Sequence, residues 1–101
     1  MTRRVQFHEL LKALLGSDKV YFQPPEDMIL SYPCVVYSRS NVKSAYSDDS
    51  TYNTRTRYSV TVIDPNPDSD IPPKLALIPT AIFQRNYKQN NMNHDVYSIY
   101  Y

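Results

Sequence analysis

The side chains best suited to nucleophilic or acid–base chemistry in this chain are one cysteine, two histidines and ten carboxylates, and their spacing limits what they can do. A Ser or Cys nucleophile needs a base within hydrogen-bond reach. The bases on offer are His8, inside a stretch of helical periodicity, and His94, which opens a strand-like run, and neither belongs to a recognisable catalytic motif. Cys34 follows Pro33 and enters an apolar run, the setting of a small buried hydrophobe rather than of a reactive thiolate. Asp64, Asp68 and Asp70 crowd one segment and are oxygen ligands of the kind calcium takes. Their spacing is wrong for a calcium loop, because Pro65 and Pro67 interrupt it and the twelfth position from Asp64 is Leu75. Turn and helix-start chemistry accounts for the same residues. Asp48 and Asp49 are adjacent in a polar stretch, so their carboxylates need not converge as a general acid and base must. A single glycine, Gly16, cannot supply a phosphate-cradling loop. Enzymatic activity is therefore not expected, and neither is a cofactor or a metal.

A second kind of chemistry is polyanion binding. Lys43, Arg55 and Arg57 lie near Tyr46, Tyr52 and Tyr58, a mixture that could hold phosphates and stack bases. Asp48 and Asp49 cancel much of that field, and Tyr with Arg equally marks a protein interface. The whole chain carries Lys+Arg 11 against Asp+Glu 10, a formal net charge of +1, which lacks the basic excess of a nucleic-acid or membrane-surface binder. A third possibility is assembly: the chain ends in Tyr97-Ser98-Ile99-Tyr100-Tyr101, an aromatic segment that needs cover from its own helices or from another subunit.

The elements that must position these residues can be read from periodicity. Phe7, Leu10, Leu11, Leu14 and Leu15 form one helical stripe, and Gly16 supplies the left-handed stop, so a helix is expected over 5–15, capped by Thr2. Val20-Tyr21-Phe22, halted by Pro24-Pro25, reads as an edge strand or an extended arm. Cys34-Val35-Val36-Tyr37-Ser38-Arg39 reads as a strand. The polar stretch 41–56 is longer than an ordinary hairpin loop. Arg57-Tyr58-Ser59-Val60-Thr61-Val62-Ile63 alternates, with Tyr58, Val60 and Val62 on one face. Pro72 and Pro73 suit the first turn of a short helix over 71–78, ended by Pro79. Two last strands, over 81–88 and 94–101, form a C-terminal hairpin across the polar turn 89–93. With so little glycine, long or Pro-shaped loops are expected to replace tight hairpin turns.

The order α-β-β-β-α-β-β predicts a small α+β fold: a sheet of about four to five mainly antiparallel strands, flanked by the N-terminal helix and a short second helix, with one long hairpin. At 101 residues the chain allows one domain, over 1–101. Its 42% hydrophobic residues are enough for a core, although a domain this small buries only about 60–65% of its unfolded surface. Cys34 alone cannot form an internal disulfide, the N-terminus is too polar for a secretory signal, and no run reaches a membrane span, which makes synthesis inside the cell the expectation.

Four stretches taken together resemble a known family. They are Val20-Tyr21-Phe22-Gln23-Pro24-Pro25-Glu26; Tyr32-Pro33-Cys34-Val35-Val36-Tyr37; Tyr58-Ser59-Val60-Thr61-Val62-Ile63-Asp64 with Pro67-Asp68-Ser69-Asp70-Ile71-Pro72; and His94-Asp95-Val96. In this order, along most of the chain, they resemble the small tail-completion or tail-terminator proteins of tailed bacteriophages. The resemblance implies a structural virion protein, made in the bacterial host cytoplasm and placed in the neck or tail. Its copies would close into a ring, hexameric in that family, that caps the tail tube, stops its polymerisation and offers a docking surface to the head connector. Its partners would be further copies of itself, the tube protein and the connector or stopper protein, with no membrane. A head-side neck, stopper or head-completion protein and a monomeric sheet-edge adaptor are the alternatives. Under this reading the hairpin 35–63 and the final strand are the candidate contacts. Tyr46, Tyr52, Arg55 and Arg57 are candidate partner or subunit contacts, and Tyr100 and Tyr101 a candidate subunit seam. Lys43, Arg55 and Arg57 are candidate lumen-facing cations for DNA passing through the ring.

Overall fold

The computed structural model describes residues 2–40 and 56–101. Helix α1 (Arg3–Leu15) starts where Thr2 Oγ1 accepts the Val5 N–H at 3.1 Å, and it stops at Gly16, whose φ of 80° is the left-handed C-cap. The stripe read from the sequence faces the sheet: Phe7 and Leu11 are buried and Leu10, Leu14 and Leu15 pack around them. Strands β1 (Val20–Phe22), β2 (Cys34–Arg39), β3 (Arg57–Asp64), β4 (Ile82–Gln89) and β5 (Met92–Tyr100) form one sheet in the order β1-β2-β3-β5-β4. Short helix α2 (Ile71–Leu75) lies between β3 and β4 in the chain. The fold is α+β, as expected, with antiparallel pairing throughout except for β1, which runs parallel to β2 at one edge.

Strand alternation sorts the side chains onto two faces. Val35, Tyr37, Tyr58, Val60, Val62, Tyr97 and Ile99 join Phe7, Leu11, Ile71 and Leu75 in the core cluster under the helices. An aromatic group holds its centre: Phe7 stacks on Tyr58 at 4.8 Å and on Tyr101 at 5.0 Å, and meets Tyr37 edge-on at 5.5 Å. Tyr97 anchors α2 by donating its hydroxyl to the Pro72 carbonyl at 3.3 Å.

Two expectations need correction. The turn of the C-terminal hairpin is shorter than 89–93: Gln89 pairs with Met92, so only Asn90 and Asn91 lie between the strands, at φ 54° and 62°. Positive φ at both central positions is the signature of a tight type I′ turn, whose backbone twist matches the strands. Asparagine, which tolerates this region through local hydrogen bonding, here does the work assigned to glycine. The second helix is also shorter than 71–78. Ala76 N still bonds Pro72 O, but Leu77 N bonds Lys74 O and Ile78 N bonds Leu75 O, so the chain tightens into i−3 turns ahead of Pro79. A proline disfavours helical geometry in the residue before it. No helix among the described residues is long and apolar enough to cross a membrane.

Candidate interaction surfaces

Of the groups weighed for catalysis, Asp48 and Asp49 lie outside the described residues, and Cys34, His8, His94 and the Asp64–Asp70 segment have separate surroundings. Burial pushes the Cys34 thiol up to about 11, well away from a thiolate at neutral pH. Arg4 Nη1 donates to the Tyr37 hydroxyl at 3.4 Å, and that hydroxyl lies 2.7 Å from His8 Nδ1. Burial, with Lys12 and Arg4 nearby, pulls His8 below its ordinary value, and in the neutral tautomer with the proton on Nε2 its Nδ1 accepts a hydrogen bond from the Tyr37 hydroxyl. His94 stacks on Tyr87 at 4.7 Å and its Nδ1–H donates to the Met92 carbonyl at 3.1 Å. Asp64 Oδ1 accepts the Asn66 N–H at 2.8 Å, Ser69 Oγ accepts the Ile71 N–H, and Asp70 sits at the N-cap of α2 without a side-chain cap bond. Asp70 instead lies 3.8 Å from Lys74. Among the described residues, no three His, Cys, Asp or Glu side chains come together as a metal site.

What the described surface offers is area for partners. The first region is the sheet face away from α1. On it Arg57, Ser59 and Thr61 of β3 alternate with the core residues, beside Val96 and Ser98 of β5 and Arg85 of β4. Arg57 is half-buried and its Nε donates to Ser98 Oγ at 3.0 Å, which fixes the guanidinium on the sheet. Arg57, Arg85, Ser59 and Ser98 line a shallow concavity of about 180 Å³ there. Arg85 lies over the Tyr87 ring at 5.5 Å. Arg57 and Arg85 are the charged hydrogen-bond donors of this face, while the buried Ser98 hydroxyl accepts from Arg57.

The second region is the outer edge of the C-terminal hairpin. β5 is paired on both sides, by β3 and β4, so the free edge belongs to β4. That strand is exposed along nearly all its length, with Ile82 57% and Phe83 53% accessible. A register shift between Phe83 and Arg85 marks a bulge in it.

The third region is a groove of about 410 Å³ between α1 and the chain that follows α2, lined by Leu10, Leu14, Leu77, Ile78 and Pro79 with Arg3 and Lys74. Sequence reading missed this groove because Leu77 falls off the Ile71-Leu75-Ile78 stripe, and the one signal for it in the helix-2 segment is that off-stripe leucine.

Of the residues singled out from the sequence, Lys43, Tyr46, Asp48, Asp49, Tyr52 and Arg55 lie outside the described residues. Arg57 lies on the donor face. Tyr100 and Tyr101 separate: Tyr100 is 37% exposed, whereas Tyr101 stacks on Phe7, takes Arg3 over its ring at 5.0 Å and donates its N–H to Thr56. No protein-family model matches the chain, and no curated protein or solved structure matches it significantly.

Proposed function

We propose that this chain is a structural protein of a phage tail or neck, a tail terminator whose copies close into a ring on the end of the tail tube. The resemblance of its four ordered stretches to that family supports the reading. The structural observation that carries it is the β4 edge: eight strand residues, paired on one side, with Ile82 and Phe83 more than half exposed. The strand is polar from Gln84 onward, with Arg85 and Lys88, so its apolar exposure is concentrated at Ile82 and Phe83, where an isolated copy leaves hydrophobic surface beside unpaired backbone. A ring built on a heterologous contact covers it in every copy and leaves no open end to grow. In such a ring the donor face with Arg57 and Arg85 is the surface suited to DNA phosphates in the lumen, and Tyr100 is the better placed of the two terminal tyrosines for a seam.

The same β4 edge also favours a second reading, a monomeric adaptor that takes an extended peptide by strand addition. A head-side stopper is the alternative within assembly. Native mass spectrometry over a concentration series, with electron microscopy of purified tail tubes in parallel, tests all three. A hexamer, or a ring found on tube ends, is the expected result. A chain that stays monomeric and never touches a tube overturns the terminator reading, and a ring that binds connectors but not tubes moves it to the head side.

A further inference from the structure

The connection between β1 and β2 is a second surface without a role. β1 and β2 are parallel neighbours, so residues 23–33 must travel back along the sheet before β2 can begin. They do so beside Tyr21, whose hydroxyl takes the Ser31 N–H and whose register partner Val36 lies on the face away from α1. Proline brackets the segment at Pro24, Pro25 and Pro33 and limits its backbone freedom, and the Met28 N–H donates to the Pro25 carbonyl at 3.1 Å, which folds the tip into a turn. Its tip presents Glu26 and Asp27, then Met28 and Ile29, and Ile29 is 92% exposed. An acidic pair followed by uncovered aliphatics is an unusual thing for a stiff loop to display to water.

The groove between α1 and the α2–β4 connection has the complementary character. Its walls are mostly aliphatic, with Thr80, Tyr100 and Tyr101 completing them, Leu77 in it is 79% exposed, and its charged residues are the cations Arg3 and Lys74. Lys74 is held only by the surface contact with Asp70 at 3.8 Å, an interaction weak enough to be exchanged for an incoming carboxylate. The groove opens on the helix side of the sheet, the arm's Ser31 is held to Tyr21 on the other side, and no residue of the arm lines the groove, so one copy does not fill its own groove.

We infer that the groove receives the arm 24–32 of a second copy of this chain, with Met28 and Ile29 against Leu10, Leu14 and Leu77, and Glu26 and Asp27 beside Arg3 and Lys74. The inference rests on the ring reading above and adds to that ring a second contact beside the β4 edge. The two surfaces are unlike, so the contact is head-to-tail, and each copy has one donor arm and one acceptor groove.

Two single variants test it. Ile29→Asp spoils the arm and leaves the groove intact, and Leu77→Asp does the reverse. Both side chains are exposed, so each variant should keep the wild-type circular dichroism spectrum and melting temperature. Native mass spectrometry, with and without tail tubes, should show wild-type rings, with either variant alone associating at least ~30-fold more weakly. An equimolar mixture should give a one-to-one heterodimer and nothing larger, because only one sound arm and one sound groove remain. Variants that assemble like the wild type overturn the inference and leave the ring reading standing. So does a mixture that stays monomeric. A wild-type chain that is monomeric under every condition overturns both.

Discussion

The two ends of the sheet are built on opposite principles. At the β1–β2–β3 end, α1 lies across the strands, and Phe7 is fully buried among Tyr37, Tyr58 and Tyr101. The edge strand there, β1, is three residues long and stopped by Pro24-Pro25, a common way to blunt an edge. At the β5–β4 end, an eight-residue edge strand lies exposed with another phenylalanine, Phe83, on the helix side of the sheet against Tyr97 at 5.5 Å. One edge of the sheet is closed to strand pairing and the other is not. The contrast separates the best-buried part of the core from the open pairing edge.

The sharpest test sets the two phenylalanines against each other. Phe7→Ala removes a ring with no accessible surface and three aromatic neighbours, and should cost about 3–5 kcal/mol in urea unfolding. For a domain whose total stability is about 5–15 kcal/mol, that is a large share. Phe83→Ala should cost no more than ~1 kcal/mol, since half of its surface is already in water. Equal losses would show that the hairpin belongs to the same core and that the contrast is wrong.

Association should move the other way. Ile82→Lys with Phe83→Lys places charge on the β4 edge, and should weaken self-association at least ~30-fold by native mass spectrometry while leaving the urea midpoint close to wild type. Unchanged association would remove the β4 edge from the assembly contact.

How much of this contrast the sequence announces depends on the range of the interactions involved. The α1-covered end is legible because its signals are local: the Phe7-Leu11-Leu14 stripe, the Thr2 and Gly16 caps, and the alternation of Tyr58, Val60 and Val62. The exposed end is not. That the last strand lies inside the sheet, with β4 rather than β5 at the edge, is a matter of long-range pairing, and no residue in either strand marks it. The parallel pairing of β1 likewise depends on the path of residues 23–33, whose prolines announce a stop but not a direction. The groove is built by Leu10 and Leu14 from one element and Leu77 and Ile78 from another, a juxtaposition visible only once the chain is folded. Part of the candidate contact set, Lys43, Tyr46, Tyr52 and Arg55, lies outside the described residues, so the structure bears only on Arg57, Tyr100 and Tyr101.

The hairpin turn offers a smaller and more local probe. Asn91 at φ 62° lies in a region that β-branched residues avoid, so Asn91→Val should cost about 1–2 kcal/mol. If the two ends are as different as their burial suggests, the loss should not be shared evenly. Hydrogen exchange should quicken in the β4 amides first and leave those of β2 and β3 governed by global unfolding. Uniform acceleration across the sheet would mean that the hairpin opens only when everything does.

The smallest effect belongs to the covered end and comes from His8. Its ring is held neutral by burial and by Lys12 and Arg4, so its folded-state pKa lies below the 6.5 of the unfolded chain. The unfolded state therefore binds the proton first as pH falls. The contribution of His8 to stability is complete above pH 6.5, declines as pH drops below it, and levels off beneath the lowered folded-state value. Glu9 works against the shift but ranks behind burial and the two cations, so the direction is unchanged. Protonation also forces Nδ1 to become a donor, and the Tyr37 hydroxyl at 2.7 Å must then turn its own proton elsewhere while still facing Arg4. His8→Gln should flatten the pH dependence of the urea midpoint between pH 5.5 and 7.5 relative to wild type. Because His8 lies on α1 and Tyr37 on β2, the same titration should leave association through the β4 edge unmoved. A pH-dependent change in oligomer size that His8→Gln abolishes would tie the two ends together after all.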